Sequence, residues 1–278
     1  MASSDAAAQD VSPKAVCEMA HQLPRHAFSV RNAARAGDIW RAFQELAVEA
    51  SSEVGWPPSR FLAVGTAFVV RKMTVVHHRE TPYGEPLRAR TWVWRFRRDM
   101  ISTREVRLSG AAGPLASGTQ EWVHIDAAGR PARAPASVIA AFPEHVEDGP
   151  ITLPDYDERP GERRVTFELR PWHVRMDPLG HANHPAYVDW LDESVSRAMA
   201  EGGLDPIELV PVAETVLFRS ATHAGEDVTV TTRRVGVTAS GAVVLRHHVA
   251  TPDAPRAAEA VTIRRTRGDD ARFAALWD

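Results

Sequence analysis

Two stretches of the chain space their apolar residues as a helix does, and each runs into a series of alternating, strand-like segments. In the first stretch Trp40, Phe43, Ala47 and Ala50 recur at three- and four-residue steps, and Gly55-Trp56-Pro57-Pro58 ends the pattern. In the second, Tyr187, Trp190, Leu191, Val195, Ala198 and Met199 do the same between Pro185 and Gly202-Gly203. Pro185 suits a first helical turn, where its missing N–H leaves no bond unmade, and the glycine pair suits a stop. Asp38 is expected to cap the first helix, and Asn183 or His184 the second. Predicted strands after the first helix are Val69 to His77, Leu87 to Phe96, Met100 to Leu108 and Leu115 to Ile125. Those after the second are Val212 to Ala221, Val228 to Val237, Ala242 to Ala250 and Ala258 to Arg265. Leu87, Ala89, Thr91 and Val93 alternate against Arg88, Arg90, Trp92 and Trp94, the pattern of a sheet with one buried face. Turn formers such as Tyr83-Gly84-Glu85 and Ser240-Gly241 separate the segments.

The two stretches are related to each other. Displaced by 144 positions, Phe28 falls on Trp172, Val30-Arg31 on Val174-Arg175, Phe43 on Tyr187 and Glu49-Ala50 on Glu193-Ser194. One helix followed by several antiparallel strands, twice, predicts an α+β chain of two tandem units, residues 25–142 and 163–267. Residues 1–24 read as a flexible N-terminal segment, 143–162, rich in Pro, Asp and Glu, as a linker, and 268–278 as a C-terminal tail. A single unit of this kind leaves a sheet edge unpaired, and a second unit can cover it. The same displacement sets Ala33, Gly37 and Ile39 against Asp177, His181 and Asn183, so the first copy holds the scaffold and the second the polar groups.

Composition narrows the partners. A chain of 278 residues with a formal net charge of -3 lacks the strong basic field of a general nucleic-acid binder, and a small-molecule partner fits better. Lysine occurs only at 14 and 72; the abundance of arginine reads as codon bias, or, at Arg95, Arg97 and Arg98, as a receptor for phosphates. The single cysteine, Cys17, allows no disulfide within the chain. The most apolar run, Phe61 to Val70, is too short to span a bilayer, and residues 1 to 20 lack the apolar core of a signal peptide. The expectation is a soluble, cytoplasmic protein that binds no membrane.

Between Asp177 and Asn183 the chain gathers a carboxylate, a Gly turn, an imidazole and an amide, immediately before the second helix. The helix start offers free N–H groups and positive potential to an oxygen anion, and Gly180 is expected to let a carbonyl approach the backbone. A carboxylate beside such an end is suited to polarising and attacking a carbonyl. Helix capping accounts for Asn183 equally well, and burial alone accounts for Tyr187 and Trp190. The pairs His77-His78 and His247-His248 lie in strands, where neighbours point to opposite faces, so no metal is implied. Nucleotide loops, dinucleotide fingerprints, serine elbows and zinc-protease motifs are absent from the sequence, and no cofactor is expected.

The pattern Asp-Pro-x-Gly-x-x-x-x-x-x-Tyr-x-x-Trp-x-Asp, read from Asp177 to Asp192, resembles the active-site segment of 4-hydroxybenzoyl-CoA-type hotdog thioesterases. Gly180-His181-x-Asn183, with Tyr187 and Trp190, is similar to plant and bacterial acyl-ACP thioesterases. The resemblance implies two tandem hotdog units, each a long central helix wrapped by a curved antiparallel sheet, as a monomeric fused dimer or a homodimer. It implies hydrolysis of an acyl thioester of coenzyme A or an acyl carrier protein. Asp177 would be general base or nucleophile, His181 and Asn183 would position thioester or water, Gly180 and His184 would help hold the oxyanion, and Tyr187 and Trp190 would line the pocket. The chain departs from the acyl-ACP pattern at Leu179, commonly Asn, and at Phe218-Arg219-Ser220-Ala221-Thr222, where the family has Tyr-Arg-Arg-Glu-Cys. That departure leaves room for a lyase or conjugate-addition enzyme on an unsaturated acyl thioester, and for a non-catalytic acyl-binding protein.

Overall fold

Both apolar stripes form helices of equal length in the computed structural model, which describes residues 13–278. The first half runs β1 (Val16–His21), α1 (Ala36–Glu53), α2 (Pro58–Ala63), β2 (Ala67–His77), β3 (Leu87–Arg97), β4 (Ile101–Gly110), β5 (Gly113–Ile125) and α3 (Ala136–Ala141). The second runs β6 (Tyr156–Glu158), β7 (Arg164–Leu169), α4 (His184–Glu201), β8 (Leu209–Phe218), β9 (Val228–Thr238), β10 (Val243–Ala250), β11 (Ala258–Thr266) and α5 (Asp270–Ala275). Trp40, Phe43, Ala47 and Ala50 of α1 are buried, as are Tyr187, Trp190, Leu191, Val195, Ala198 and Met199 of α4, so both stripes face the core. All eight predicted strands form, within a few residues of their expected ends.

The strands join one antiparallel sheet in the order β1-β3-β4-β5-β2-β8-β11-β10-β9-β6, with β7 also paired to β9. Each half keeps its own run of strands, and β2 meets β8 at the seam, Met73 opposite Val216. The chain is therefore α+β, one large antiparallel sheet with few helices. Across the seam runs a buried charge network. Glu214 holds His77 Nε2 at 2.9 Å and accepts from Trp40 Nε1 (3.3 Å), Arg264 lies 2.7 Å from it, and Arg264 also donates through Nε to Asp192 (2.8 Å). His78, on the opposite pleat, instead lies 2.8 Å from Ser117 Oγ.

The regions expected outside the units are partly structured. Residues 1–12 of the expected flexible segment lie outside the described residues, but 16–21 form β1, which pairs with β3 and buries Cys17 against Thr91. The edge of β3 needs a partner, and this short segment supplies it. The linker region crosses the outer face of the sheet: His145 N–H donates to Val93 O (2.9 Å), and Ile151 N–H donates to Thr119 Oγ1 (2.7 Å). It covers Trp92, which the alternation places on the exposed face but which is buried, with Arg107 5.0 Å from its ring centroid. In the C-terminal tail α5 buries Phe273 completely, and Trp277 just beyond it, against Val195, Ala198, Met199, Val243 and Leu245.

Helix α1 lies close enough to the sheet to demand a glycine in mid-strand. A Cβ at Gly118 of β5 would meet the Phe43 ring at 2.5 Å and the Thr74 carbonyl oxygen at 3.1 Å. Gly118→Ala is expected to destabilise the fold by about 1–3 kcal/mol, the scale of overpacking, read as a lower denaturant midpoint at unchanged slope. A midpoint equal to wild type would mean that helix and sheet are not packed this closely.

Candidate active site

The residues before α4 form a hydrogen-bonded turn. Asp177 N–H donates to His181 O (2.7 Å) and Gly180 N–H to Asp177 O (2.9 Å), while Asp177 Oδ1 accepts from the N–H groups of Leu179 (2.9 Å) and His181 (3.2 Å). Gly180 has φ +80°, and a Cβ there would meet nothing within 4 Å, so the turn's left-handed conformation calls for this glycine rather than a close approach to the backbone. The first half repeats the turn: Ser29 N–H donates to Ala33 O and Asn32 N–H to Ser29 O (both 2.9 Å), and Asn32 has φ +57°. Structurally, then, Ser29 matches Asp177, a displacement of 148 in place of 144. Ala33, Arg35 and Ala36 stand where the second half has His181, Asn183 and His184. The first half thus has Ser29, Ala33, Arg35 and Ala36 where the second has the carboxylate, two imidazoles and amide, different counterparts than the sequence displacement gives.

The helix starts differ from the expected caps. Asn183 occupies the cap position of α4, but its side chain caps nothing, and Oδ1 is buried without a partner. Asp38 lies inside the first turn of α1, where Arg35 takes the cap position, and pairs with Arg41 (3.1 Å). Arg41 reaches on to Asp189 of α4, which Arg175 also approaches (3.4 Å), so the two helix starts are tied together.

One cavity of about 1030 Å³ has the turn as part of its wall. Asp177, His181, His184 and Tyr187 line it; Gly180, Asn183 and Trp190 do not. The remaining wall comes largely from the first half: α1, α2 and strands β2 to β5 contribute, among others, Val48, Phe61, Phe68, Val93 and Phe142. In the second half Phe273 and Trp277 fill the space beside α4.

Electrostatics separate the lining groups. Burial, helped by the nearby positive charge of Arg41, pushes the His184 imidazole down to about 3, so it is neutral at physiological pH, and its Nε2 is buried without a hydrogen-bond partner. Burial pushes the Tyr187 hydroxyl up to about 12, and that hydroxyl donates to Thr222 Oγ1 (2.8 Å). Trp190 packs against Tyr187, the rings tilted by 43° with centroids 4.6 Å apart, and is core. The Asn183 N–H donates to Arg175 O (2.8 Å) and is not free for an oxyanion. Pro185 has no N–H, which leaves the His184 N–H as the donor at the helix start.

Residues remote in sequence complete the surroundings. Ala221 and Thr222 stand in place of the Glu and Cys of the acyl-ACP pattern; Ala221 lines the cavity beside Ser220, and Thr222 Oγ1 accepts from the Tyr187 hydroxyl. His223 approaches from the same segment, its ring 5.4 Å from that of His181 and its Nδ1 3.3 Å from Gly180 O, to which it can only donate. Arg71, Arg104 and Arg219 line the cavity, whereas Arg95, Arg97 and Arg98, expected to receive phosphates, do not. Among the described residues, no three His, Cys, Asp or Glu side chains are grouped to hold a metal ion, and no helix is long and apolar enough to cross a membrane.

The comparisons agree with this geometry. Residues 14–142 match the family model described as the acyl-ACP thioesterase N-terminal domain. No curated protein matches the sequence. The fold resembles that of the 12:0-ACP thioesterase from Umbellularia californica, with a TM-score of 0.73 at 16% identity over 91% of this chain and 94% of that one. It resembles an acyl-ACP thioesterase from Bacteroides thetaiotaomicron, TM-score 0.68 at 10% identity, over 90% and 98%. It also resembles a Lactobacillus plantarum protein provisionally described as an oleoyl thioesterase, TM-score 0.78 at 16% identity, over 94% and 99%. The likeness to hotdog-fold thioesterases noted in the sequence thus holds for the fold of nearly the whole chain, and for the acyl-ACP thioesterase family model over its N-terminal half. Together they support thioester hydrolysis.

Proposed function

We propose that the protein is a thioester hydrolase that releases an acyl group from an acyl carrier protein or coenzyme A, and that it is built as two tandem hotdog units acting as a fused dimer. The observation that carries this reading is the cavity, whose wall joins the Asp177–His184 turn to an apolar lining drawn from the other half of the chain. An acyl chain fills such a space, and its thioester carbonyl then lies at the start of α4. The Asp177 oxygen not held by the turn, Oδ2, draws a proton from water or attacks the carbonyl carbon itself. The His184 N–H at the helix start holds the oxyanion, and His181 orients water or thioester. When water attacks, the carbon–sulfur bond breaks, the thiolate takes up the proton drawn from water, and free acid and free thiol leave; when Asp177 attacks, the same bond breaks to leave an acyl–Asp177 anhydride, which water opens to free acid and the Asp177 carboxylate. The guanidinium groups of Arg71 and Arg219, half exposed at the cavity, suit the phosphate-bearing arm that both carriers share.

Leu179 and Ala221 favour one rival, addition to an unsaturated acyl thioester, since Ala221 and Thr222 replace the Glu and Cys of the acyl-ACP pattern. The test is a thiol-release screen over acyl-CoA and acyl-carrier-protein substrates of graded chain length. Free thiol with a defined length preference is expected. An intact thioester with a changed acyl chain would support addition, and tight binding without turnover would support a binding protein.

A further inference from the structure

The cavity contains a positive charge that forms no ion pair among the described residues. Arg104 of β4 is 6% exposed and lines the cavity beside Val93, Ser102 and Phe142. Buried arginines are ordinarily paired, and the others buried in this sheet are: Arg264 holds Glu214 and Asp192, and Arg234 holds Asp278. Arg104 instead donates to Thr91 Oγ1 (3.2 Å), lies 5.4 Å from the Phe142 ring centroid, and takes part in no ion pair among the described residues. Glu105, its neighbour, is directed by the pleat to the opposite face, where Thr119 and Arg107 occupy it. Burial lowers the Arg104 guanidinium to about 10, so it stays charged at neutral pH, and burial raises the nearby Cys17 thiol, which stays uncharged. The two carboxylates that do line the cavity, Asp177 and Glu45, belong to the turn and to the exposed side of α1, and neither pairs with Arg104.

An apolar cavity with one unpaired guanidinium in its wall fits a ligand that is apolar along its length and anionic at one point. We propose that Arg104 is a specificity-determining residue and that the acyl thioester this protein takes ends in a carboxylate at the end remote from the thioester. The planar fork of the guanidinium receives that carboxylate through paired N–H donors, and Ser102, two positions along the same face of β4, lines the same wall. The thioester part of this proposal rests on the hydrolase reading; the carboxylate part rests on Arg104 alone.

The test compares two coenzyme A thioesters of equal chain length, one ending in methyl and one in carboxylate, on the full chain and on Arg104→Met and Arg104→Lys. Wild type is expected to favour the carboxylate-ended substrate by about tenfold or more in kcat/KM, the scale of a charge-assisted hydrogen bond. Arg104→Met should abolish that preference through KM, and Arg104→Lys should keep part of it. A wild type that turns over the methyl-ended substrate as well or better overturns the proposal and leaves hydrolysis standing, and this comparison needs no variant to fold. If neither acyl group is hydrolysed, whether carried by coenzyme A or by an acyl carrier protein, the hydrolase reading fails, and equilibrium binding decides about Arg104. Carboxylate-ended thioester bound about tenfold more tightly by wild type than by Arg104→Met supports the site, and equal affinity overturns it.

Discussion

Asp177→Asn is expected to lower turnover by roughly 100-fold or more while leaving the turn and the cavity in place, since positioned general-base catalysis contributes on that scale. The structure makes this substitution informative because Asp177 has two separable roles. Its Oδ1 accepts from the Leu179 and His181 N–H groups, and an amide oxygen in the same place accepts them equally well. Its other oxygen is the one the mechanism uses, and the amide nitrogen that replaces it is neither base nor nucleophile. Asp177→Ala removes both roles at once and should lower the thermal midpoint as well as the rate. Affinity for the acyl thioester should change little in Asp177→Asn, because the apolar walls and the start of α4 remain. Wild-type rates from a folded Asp177→Asn protein would confine Asp177 to its turn.

Glu214→Ala is expected to destabilise the protein by about 3–5 kcal/mol, the range for removing one partner of a buried ion pair. Glu214 is fully buried at the β2–β8 seam, and its loss leaves Arg264 with Asp192 alone and strands His77 and the Trp40 N–H. Burial by itself pushes the Glu214 carboxyl up, but His77 and Arg264 outweigh it and hold the carboxyl down at about 2. A carboxyl held lower in the folded chain than in the unfolded one contributes stability above its unfolded value of 4.5, and that contribution is lost as pH falls from there towards about 2. Wild type should therefore lose stability across this window more steeply than Glu214→Ala. Denaturant melts of both proteins at neutral pH and across the acid window check the size and the slope. Equal midpoints at neutral pH would show that the network is not what holds the seam.

Much of this was legible in the sequence because period and composition act locally. The stripes of α1 and α4 are set by neighbours three and four residues apart, and the strands by alternation, so both appear without knowledge of the fold. Asp177, His181 and His184 lie within eight residues of one another, and the fold delivers them to one cavity. What stayed hidden depends on long-range packing. Trp92 alternates with exposed arginines and is buried because residues 143–151 fold back over it. Phe273 and Trp277 sit in a stretch too short to show a period, yet they close the core beside α4. The displacement of 144 follows matching residue types, whereas the hydrogen bonds of the two turns require 148. Arg104 reads as one arginine among many in a strand, and only its place in the wall, away from every carboxylate, distinguishes it.

Single-turnover reaction in ¹⁸O-labelled water shows whether an acyl thioester is hydrolysed in this cavity. Excess protein is mixed with an acyl thioester found in the screen, and thiol, free acid and protein are weighed by mass spectrometry. Hydrolysis predicts free thiol and free acid in equal amounts, with the label in the acid where water attacks the acyl carbon, and in Asp177 where Asp177 attacks first and water opens the resulting anhydride at the aspartyl carbon. An acyl group still joined to its thiol, heavier by one molecule of labelled water across a former double bond, or a thioester left unchanged, would contradict it.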